Sequence, residues 1–182
     1  MWCLKMSARE KLLKLVEALT GDVGRKVFEV LLEHSGEMSD EEIAQAVNLR
    51  INDVRKVLYE LAKYGMVSYK RISTRDSLWY SYKWYIDEDA LMRTLLQRKK
   101  SVLKKLEERL AYEESGVFYV CPVDGSRYSF DEAFENYFKC PRCGSDLVEV
   151  NNDAVVEYLR RLIDKLRQEI EEDERNISSR PI

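Results

Sequence analysis

Cys140-Pro141-Arg142-Cys143-Gly144 is the stretch that decides the fold. Two cysteines stand two residues apart with glycine next. The chain there turns tightly, the sulfurs converge, and backbone N–H groups face the thiolates. Such a knuckle is half of a tetrahedral metal site. The other half lies upstream at Cys121-Pro122-Val123-Asp124-Gly125. It has the same Cys-Pro opening and the same closing glycine, with Asp124 where a second cysteine would stand. Residues 117–120 before the pair and 147–150 after it have strand-like composition. Between the knuckles, 127–130 is β-like and 131–139 is rich in aromatics. Knuckle, strand, knuckle, strand is the layout of a zinc ribbon.

One structural zinc ion is therefore expected, held by Cys121, Cys140 and Cys143, with two readings open for Asp124. Its carboxylate is an acceptable oxygen ligand. Alternatively it marks an eroded site, in which Phe118, Tyr128, Phe130, Phe134 and Phe138 hold the ribbon without metal. A ribbon zinc is coordinatively closed and serves folding, so it predicts no catalysis. Cys3 reads as an incidental thiol, and His34, the single histidine, as a helix-end residue.

Upstream, the spacing predicts helices over 7–19 and from about Val27 to His34, interrupted at Gly21–Gly24. Ser7 with Glu10 forms a capping-box pattern. Ser39-Asp40-Glu41-Glu42 opens a short helix over 41–47. A third helix starts at Ile51 or Asn52, with Val54, Val57, Leu58 and Leu61 on one face, and Gly65 ends it in a left-handed cap. Strands follow over 66–72 and 78–86, joined by a polar connector at 73–77. In the second, Tyr80, Tyr82 and Trp84 alternate onto the core side, and Trp79 and Tyr85 are the freer pair. Three helices and a hairpin make a winged helix-turn-helix.

The segment 50–75 holds Arg50, Arg55, Lys56, Lys63, Lys70, Arg71 and Arg75 against Asp53 and Glu60, a local charge of +5. That surface, with Trp79 and Tyr85, is the expected contact for nucleic acid or a polymerase. Asn52 and Arg55 are the residues best suited to base edges, which is too few for sequence-specific readout.

Downstream, a long helix begins at Asp87-Glu88-Asp89. Its apolar stripe is Met92, Leu95, Leu96, Val102, Leu103, Leu106 and Leu110, and it ends at Ser115-Gly116. The basic run at Arg98, Lys99, Lys100, Lys104 and Lys105 reads as a solvated face. Asn151-Asn152-Asp153 caps a last helix, with Val155, Val156, Leu159, Leu162, Ile163, Leu166 and Ile170 inward and residues 171–182 fraying. The two helices that flank the ribbon are expected to pair antiparallel. The fold class is α+β, with a winged helix over 1–86, a linker helix over 87–115, a zinc ribbon over 116–150 and a C-terminal helix and tail over 151–182.

The totals exclude several classes. A chain of 182 residues that is 45% hydrophobic, with three prolines and seven glycines, folds rather than remaining disordered. Its net charge of −3 argues against tight autonomous DNA binding. No stretch approaches the ~20 apolar residues of a membrane span, and the N-terminus lacks a signal-peptide pattern. Met6 is an alternative start. The knuckle spacing of the cysteines favours metal over disulfides, and the expected location is the cytoplasm. There is no phosphate loop and no His-based relay, so no enzyme and no small-molecule substrate is expected.

The run Cys121-Pro122, Arg127-Tyr128-Ser129-Phe130-Asp131-Glu132-Ala133 and Phe138-Lys139-Cys140-Pro141-Arg142-Cys143-Gly144-Ser145 resembles the ribbon of archaeal transcription factor E. That family is related to the alpha subunit of eukaryotic TFIIE. The resemblance extends to the order winged helix, aromatic wing, linker helix, ribbon. It implies a non-enzymatic initiation factor, nucleoid-associated in an archaeal cell. By that analogy the winged helix docks on the RNA polymerase clamp near promoter DNA and stabilises the open complex. The ribbon then rests against the clamp and stalk, and some members also bind a beta subunit. Asp124 departs from the four-cysteine pattern. The alternative from residues alone is a dimeric winged-helix regulator with its own DNA site.

Overall fold

The structure is a computed structural model and describes residues 6–34, 36–73 and 80–179. The chain divides into two compact units, Met1–Leu95 and Leu96–Ile182.

The first unit begins with α1 (Met6–Glu33), two helical stretches joined at Gly21, where φ is 74° and ψ is −173°. The break falls inside the expected Gly21–Gly24 interruption. Ser39 then caps α2 (Asp40–Val47) with a full capping box: its hydroxyl accepts from the Glu42 N–H, and the Glu42 carboxylate accepts from the Ser39 N–H at 2.6 Å. That array of donors holds the Glu42 carboxyl at about 2, with the Ser39 backbone N–H the largest cause. Next comes α3 (Ile51–Lys63), whose Val54, Val57, Leu58 and Leu61 are all buried, as its period requires. The core joins them to Val16, Val27, Phe28, Ile43, Met66, Trp84 and Leu91.

Gly65 ends α3 with φ 69°, while the Met66 N–H donates to the Leu61 carbonyl at 2.9 Å. A methyl group at Gly65 would meet the Thr94 side chain at 3.0 Å. Gly65→Ala therefore suffers both left-handed strain and a clash. It should cost about 1–2 kcal/mol or more, read as a lowered midpoint in thermal unfolding. An unchanged midpoint would show that the cap relaxes without penalty.

The sheet of this unit is β1 (Met38–Ser39), β2 (Ser68–Ser73) and β3 (Tyr80–Tyr85), in the order β1-β3-β2 and antiparallel throughout. Two residues show no periodicity, which is why β1 has no sequence signal. Trp84 is fully buried, as alternation predicts. Tyr80, expected on the core side, is instead 53% exposed, with the Arg71 guanidinium over its ring at 3.2 Å. Tyr80 sits at the far end of β3, opposite Ser73, beyond the helices that bury Trp84. The Ser7 cap, Cys3 and most of the hairpin connector, with Arg75 and Trp79, lie outside the described residues or side chains.

α4 (Glu88–Glu114) starts in the first unit, where Leu91 is buried, and continues into the second. The second unit also holds β4 (Phe118–Val120), β5 (Arg127–Ser129), α5 (Phe130–Glu135), β6 (Val148–Val150) and α6 (Asp153–Ser178). Its sheet has the order β5-β4-β6, with Phe118 opposite Ser129 and Val150. Ion pairs set α4 antiparallel to α6: Lys99 with Glu169 and Asp173, Lys100 with Glu174, Glu107 with Arg167, and Glu114 with Arg160. The expected pairing of the flanking helices is thus present.

Three readings change. Lys99 and Lys100 are cross-helix partners rather than a solvated face. The acidic turn at 171–174 does not fray, because those lysines hold Asp173 and Glu174. Val102 and Val155, expected inward, are half exposed. Leu96, Leu103, Leu106 and Leu110 keep the α4 stripe partly buried, facing Leu159, Ile163 and Ile170 on the buried side of α6.

Candidate metal centre and nucleic-acid interface

The two knuckles are near copies of each other. In the first, the Gly125 N–H donates to the Cys121 carbonyl at 3.0 Å and the Cys121 N–H to the Ser126 carbonyl at 2.9 Å. In the second, the Gly144 N–H donates to the Cys140 carbonyl and the Cys140 N–H to the Ser145 carbonyl, both at 2.8 Å. Gly125 and Gly144 take φ values of 71° and 74°, which glycine adopts without steric cost. β4 delivers Cys121, and the turn after α5 delivers Cys140.

The result is a cluster in which one donor atom from each of Cys121, Asp124, Cys140 and Cys143 lies within 4.8 Å of the others. Cys121 Sγ is 3.4 Å from Cys143 Sγ, and Asp124 Oδ2 is 3.5 Å from Cys140 Sγ. A tetrahedral zinc with sulfurs at about 2.3 Å sets neighbouring donors about 3.8 Å apart. The donor set therefore fits a metal ion and is compatible with zinc. Cys121 and Cys140 are buried, and Cys143 and Asp124 face solvent.

Electrostatics prepare the set unevenly. The Ser126 backbone N–H donates to Asp124 Oδ1 at 2.8 Å and holds that carboxyl at about 2, so Asp124 is ionised at neutral pH. The Ser145 hydroxyl, 3.0 Å from Cys143 Sγ, is the main cause that lowers that thiol to about 7. Burial raises Cys121. Ser145 Oγ also lies 3.1 Å from Cys121 Sγ, and Tyr128 Oη lies 3.5 Å from Cys140 Sγ. Both were missed as site residues, because a lone serine or tyrosine carries no metal-ligand spacing.

The basic surface is smaller than its sequence count. Arg50 pairs with Asp53 at 2.9 Å. Arg55 is held by Asp40 at 2.5 Å and Glu41 at 3.3 Å, with the Asp40 hydrogen bond the main cause of its raised pKa. Lys70 pairs with Glu37 at 2.5 Å and lies over the Tyr85 ring at 5.1 Å, so Tyr85 is half buried rather than free. Glu37, Asp40 and Glu41 all precede residue 50, and only the fold brings them to these cations. Lys56 and Lys63 are exposed and form no ion pair among the described residues. Among the described residues Arg71 meets the Tyr80 ring and no acid.

Comparison with known proteins settles the family. The model of the TFIIE alpha subunit matches residues 10–115. Transcription factor E of Saccharolobus islandicus is 42% identical over 168 residues, 92% of this chain and 96% of that protein. This chain belongs to the transcription factor E family. The relative in Saccharolobus solfataricus is likewise 42% identical over 92% of this chain and 94% of its own length. That of Metallosphaera sedula is 43% identical over 84% of this chain and 86% of its own. A solved structure of a possible transcriptional regulator from Methanosarcina mazei matches with a TM-score of 0.48 at 16% identity, over 58% of this chain and 88% of that one. Transcription factor E proteins are transcription factors, not enzymes. No helix among the described residues is long and apolar enough to cross a membrane.

Proposed function

We propose that this chain is a general initiation factor that binds RNA polymerase and stabilises the melted promoter. The observation that carries the reading is family membership over nearly the whole chain, knuckles included. In this reading residues 1–86 act as a winged helix, 87–115 as a linker helix, 116–150 as a zinc ribbon and 151–182 as a C-terminal helix. One structural zinc sits on Cys121, Cys140 and Cys143, with Asp124 as the fourth ligand. The partners are the polymerase clamp and stalk, promoter DNA within the initiation complex, and a beta subunit where one is present. The place of work is the cytoplasm, at the nucleoid.

The charge pairing sharpens the role. With Arg50, Arg55 and Lys70 engaged by acids, Lys56, Lys63 and Arg71 are left for phosphates among the described residues. On free duplex, about three such contacts give a salt slope of only about −3, which means weak, sequence-indifferent binding. The polymerase must supply the rest. A preference for melted over closed promoter of ~1.4 kcal/mol shifts that equilibrium tenfold.

Permanganate footprinting of a weak promoter with polymerase and basal factors tests this. Adding the chain should raise reactivity in the melted region, and Lys63→Glu with Arg71→Glu should remove most of the gain. A wild-type chain that never changes promoter opening would sink the reading.

A further inference from the structure

α5 and the turn after it gather aromatic rings on one surface. Phe130 and Phe134 stack at 6.0 Å, and both meet Phe138 edge-on, at 6.1 and 6.3 Å. Tyr119 of β4 joins them, 5.1 Å from Phe138 and 6.4 Å from Phe130. Phe130 is 47% exposed, Phe134 63% and Tyr137 86%. The core beneath consists of Cys121, Ala133, Cys140 and Leu147, with Tyr119, Tyr128 and Phe138 against it. Phe130, Phe134 and Tyr137 therefore add little to that core. Exposed rings packed side by side mark a contact surface rather than isolated surface residues.

The backbone singles out the same place. Tyr137 and Phe138 both take left-handed conformations, with φ of 53° and 58°. Bulky residues rarely adopt that region, and two in succession hold strain. Hydrogen bonds fix them there: the Phe138 N–H donates to the Ala133 carbonyl at 2.7 Å, and the Leu147 N–H to the Phe138 carbonyl at 2.8 Å. Glycine or asparagine would make this bend at less cost. The bend instead leaves Tyr137 exposed while Phe138 packs against the core and under the rings of Phe130 and Phe134.

Charge decides the partner. α5 carries Asp131, Glu132 and Glu135 and no base, and all three are exposed. Glu149, also exposed, stands opposite Tyr119 in the sheet. No ion pair forms at Asp131, Glu135 or Glu149 among the described residues, and the neighbouring Lys139 is taken by Asp146. Four carboxylates around the rings repel a phosphate backbone, which opposes base stacking here. The same arrangement suits arginine, whose guanidinium lies flat on a ring and pairs with a carboxylate.

We propose that the face of Tyr119, Phe130 and Phe134 docks a protein segment in which arginine or lysine is interspersed with apolar side chains. It does not bind nucleic acid. The proposal rests on the reading of the chain as a polymerase-bound initiation factor, and the segment belongs to that assembly. The rings are the anchors and the carboxylates select the partner's charge.

The test replaces Phe134 with the photo-crosslinking residue p-benzoylphenylalanine in the full-length, zinc-loaded chain, and Lys63 likewise in a second preparation. Each is irradiated with RNA polymerase on promoter DNA. Position 134 should cross-link to a polymerase peptide carrying two or more arginines or lysines. Asp131→Lys with Glu135→Lys, both surface changes, should weaken polymerase binding about tenfold or more. Cross-linking of position 134 to DNA, or unchanged affinity of the double variant, overturns the proposal. If position 63 cross-links and position 134 does not, the docking face falls and the initiation-factor reading stands. If neither does, the initiation-factor reading fails and the docking face with it.

Discussion

If zinc sits on Cys121, Cys140 and Cys143 as proposed, stripping it with a strong chelator should unfold residues 116–150 while the first unit stays folded. The segment has five buried side chains, Phe118, Cys121, Ala133, Cys140 and Leu147, and two of them are the cysteines. Its strands are three residues each. So little apolar burial cannot offset the ordering entropy of a segment this size. A structural zinc supplies about 10–16 kcal/mol in comparable small folds at neutral pH, which would make metal binding and folding one event here. All three tryptophans, Trp2, Trp79 and Trp84, lie before residue 96. Tryptophan emission should therefore hardly change on chelation, while hydrogen-exchange protection at the Gly125, Cys140 and Gly144 amides collapses. Full protection in metal-free protein would sink the prediction.

The same measurement assigns the fourth ligand. Asp124→Cys should keep or tighten zinc binding, and Asp124→Ala should weaken it at least tenfold. Ser145→Ala removes a hydroxyl 3.0 to 3.1 Å from two of the sulfurs. As a hydrogen-bond partner to the ligands, it should cost between tenfold and a hundredfold. If Asp124→Ala is silent and Ser145→Ala abolishes binding, serine occupies the fourth place.

Why some features were legible in sequence and others were not follows from the range of the forces involved. The knuckles were readable because ligand spacing is a local property of Cys-x-x-Cys and Cys-x-x-Asp. So was α3, whose four buried residues sit one helical turn apart on its own strip of sequence. The cap at Ser39 and Glu42 was readable for the same reason. An identical signal at Ser129 and Glu132, another full capping box, went unread in an aromatic-rich stretch, and α5 was missed with it. The charge of the segment 50–75 misled because ion pairs ignore segment limits: Glu37, Asp40 and Glu41 come from outside it. The α4–α6 ion pairs join residues more than 40 positions apart, so the order they give to residues 171–174 was invisible locally. Asn152, expected to cap α6, makes no such bond; its amide donates instead to the Glu113 carbonyl at 2.7 Å.

That last contact belongs to a network whose disruption should be costly. Glu113, near the end of α4, is a fully buried carboxylate. Arg127 of β5 grips it through both terminal nitrogens, at 2.9 and 2.5 Å, while lying over the Phe118 ring at 3.9 Å. Arg109 reaches it at 2.5 Å, and the Asn152 amide at 3.0 Å. Helix, strand and the start of α6 thus meet on one charge, and the Arg127 hydrogen bonds are the main reason Glu113 is held at about 2. Arg127→Met leaves that carboxylate buried with only Arg109 and Asn152. In the zinc-saturated protein at pH 7 it should cost roughly 3–5 kcal/mol, the usual penalty for breaking a buried pair. Adding Glu113→Met should recover much of the loss, because removing both partners leaves no unpaired charge.

The pH dependence separates this account from simple loss of packing. In the wild type the depressed Glu113 pKa contributes stability that is fully present above about 4.5 and is lost as pH falls through about 2. Without Arg127, desolvation acts with less opposition and raises the folded-state pKa toward or above its unfolded value. Acid protonates the cysteine thiolates and would release zinc, so the difference is read between about pH 5 and 7. There the Glu113 contribution should be flat in wild type and absent in Glu113→Met, while Arg127→Met should lose stability as pH rises through its raised Glu113 pKa. Denaturant unfolding across that pH range, followed by tyrosine signals from the second unit, reads both. A cost under ~1 kcal/mol for Arg127→Met, with an unchanged pH slope, would show that Arg109 and Asn152 alone satisfy the buried charge.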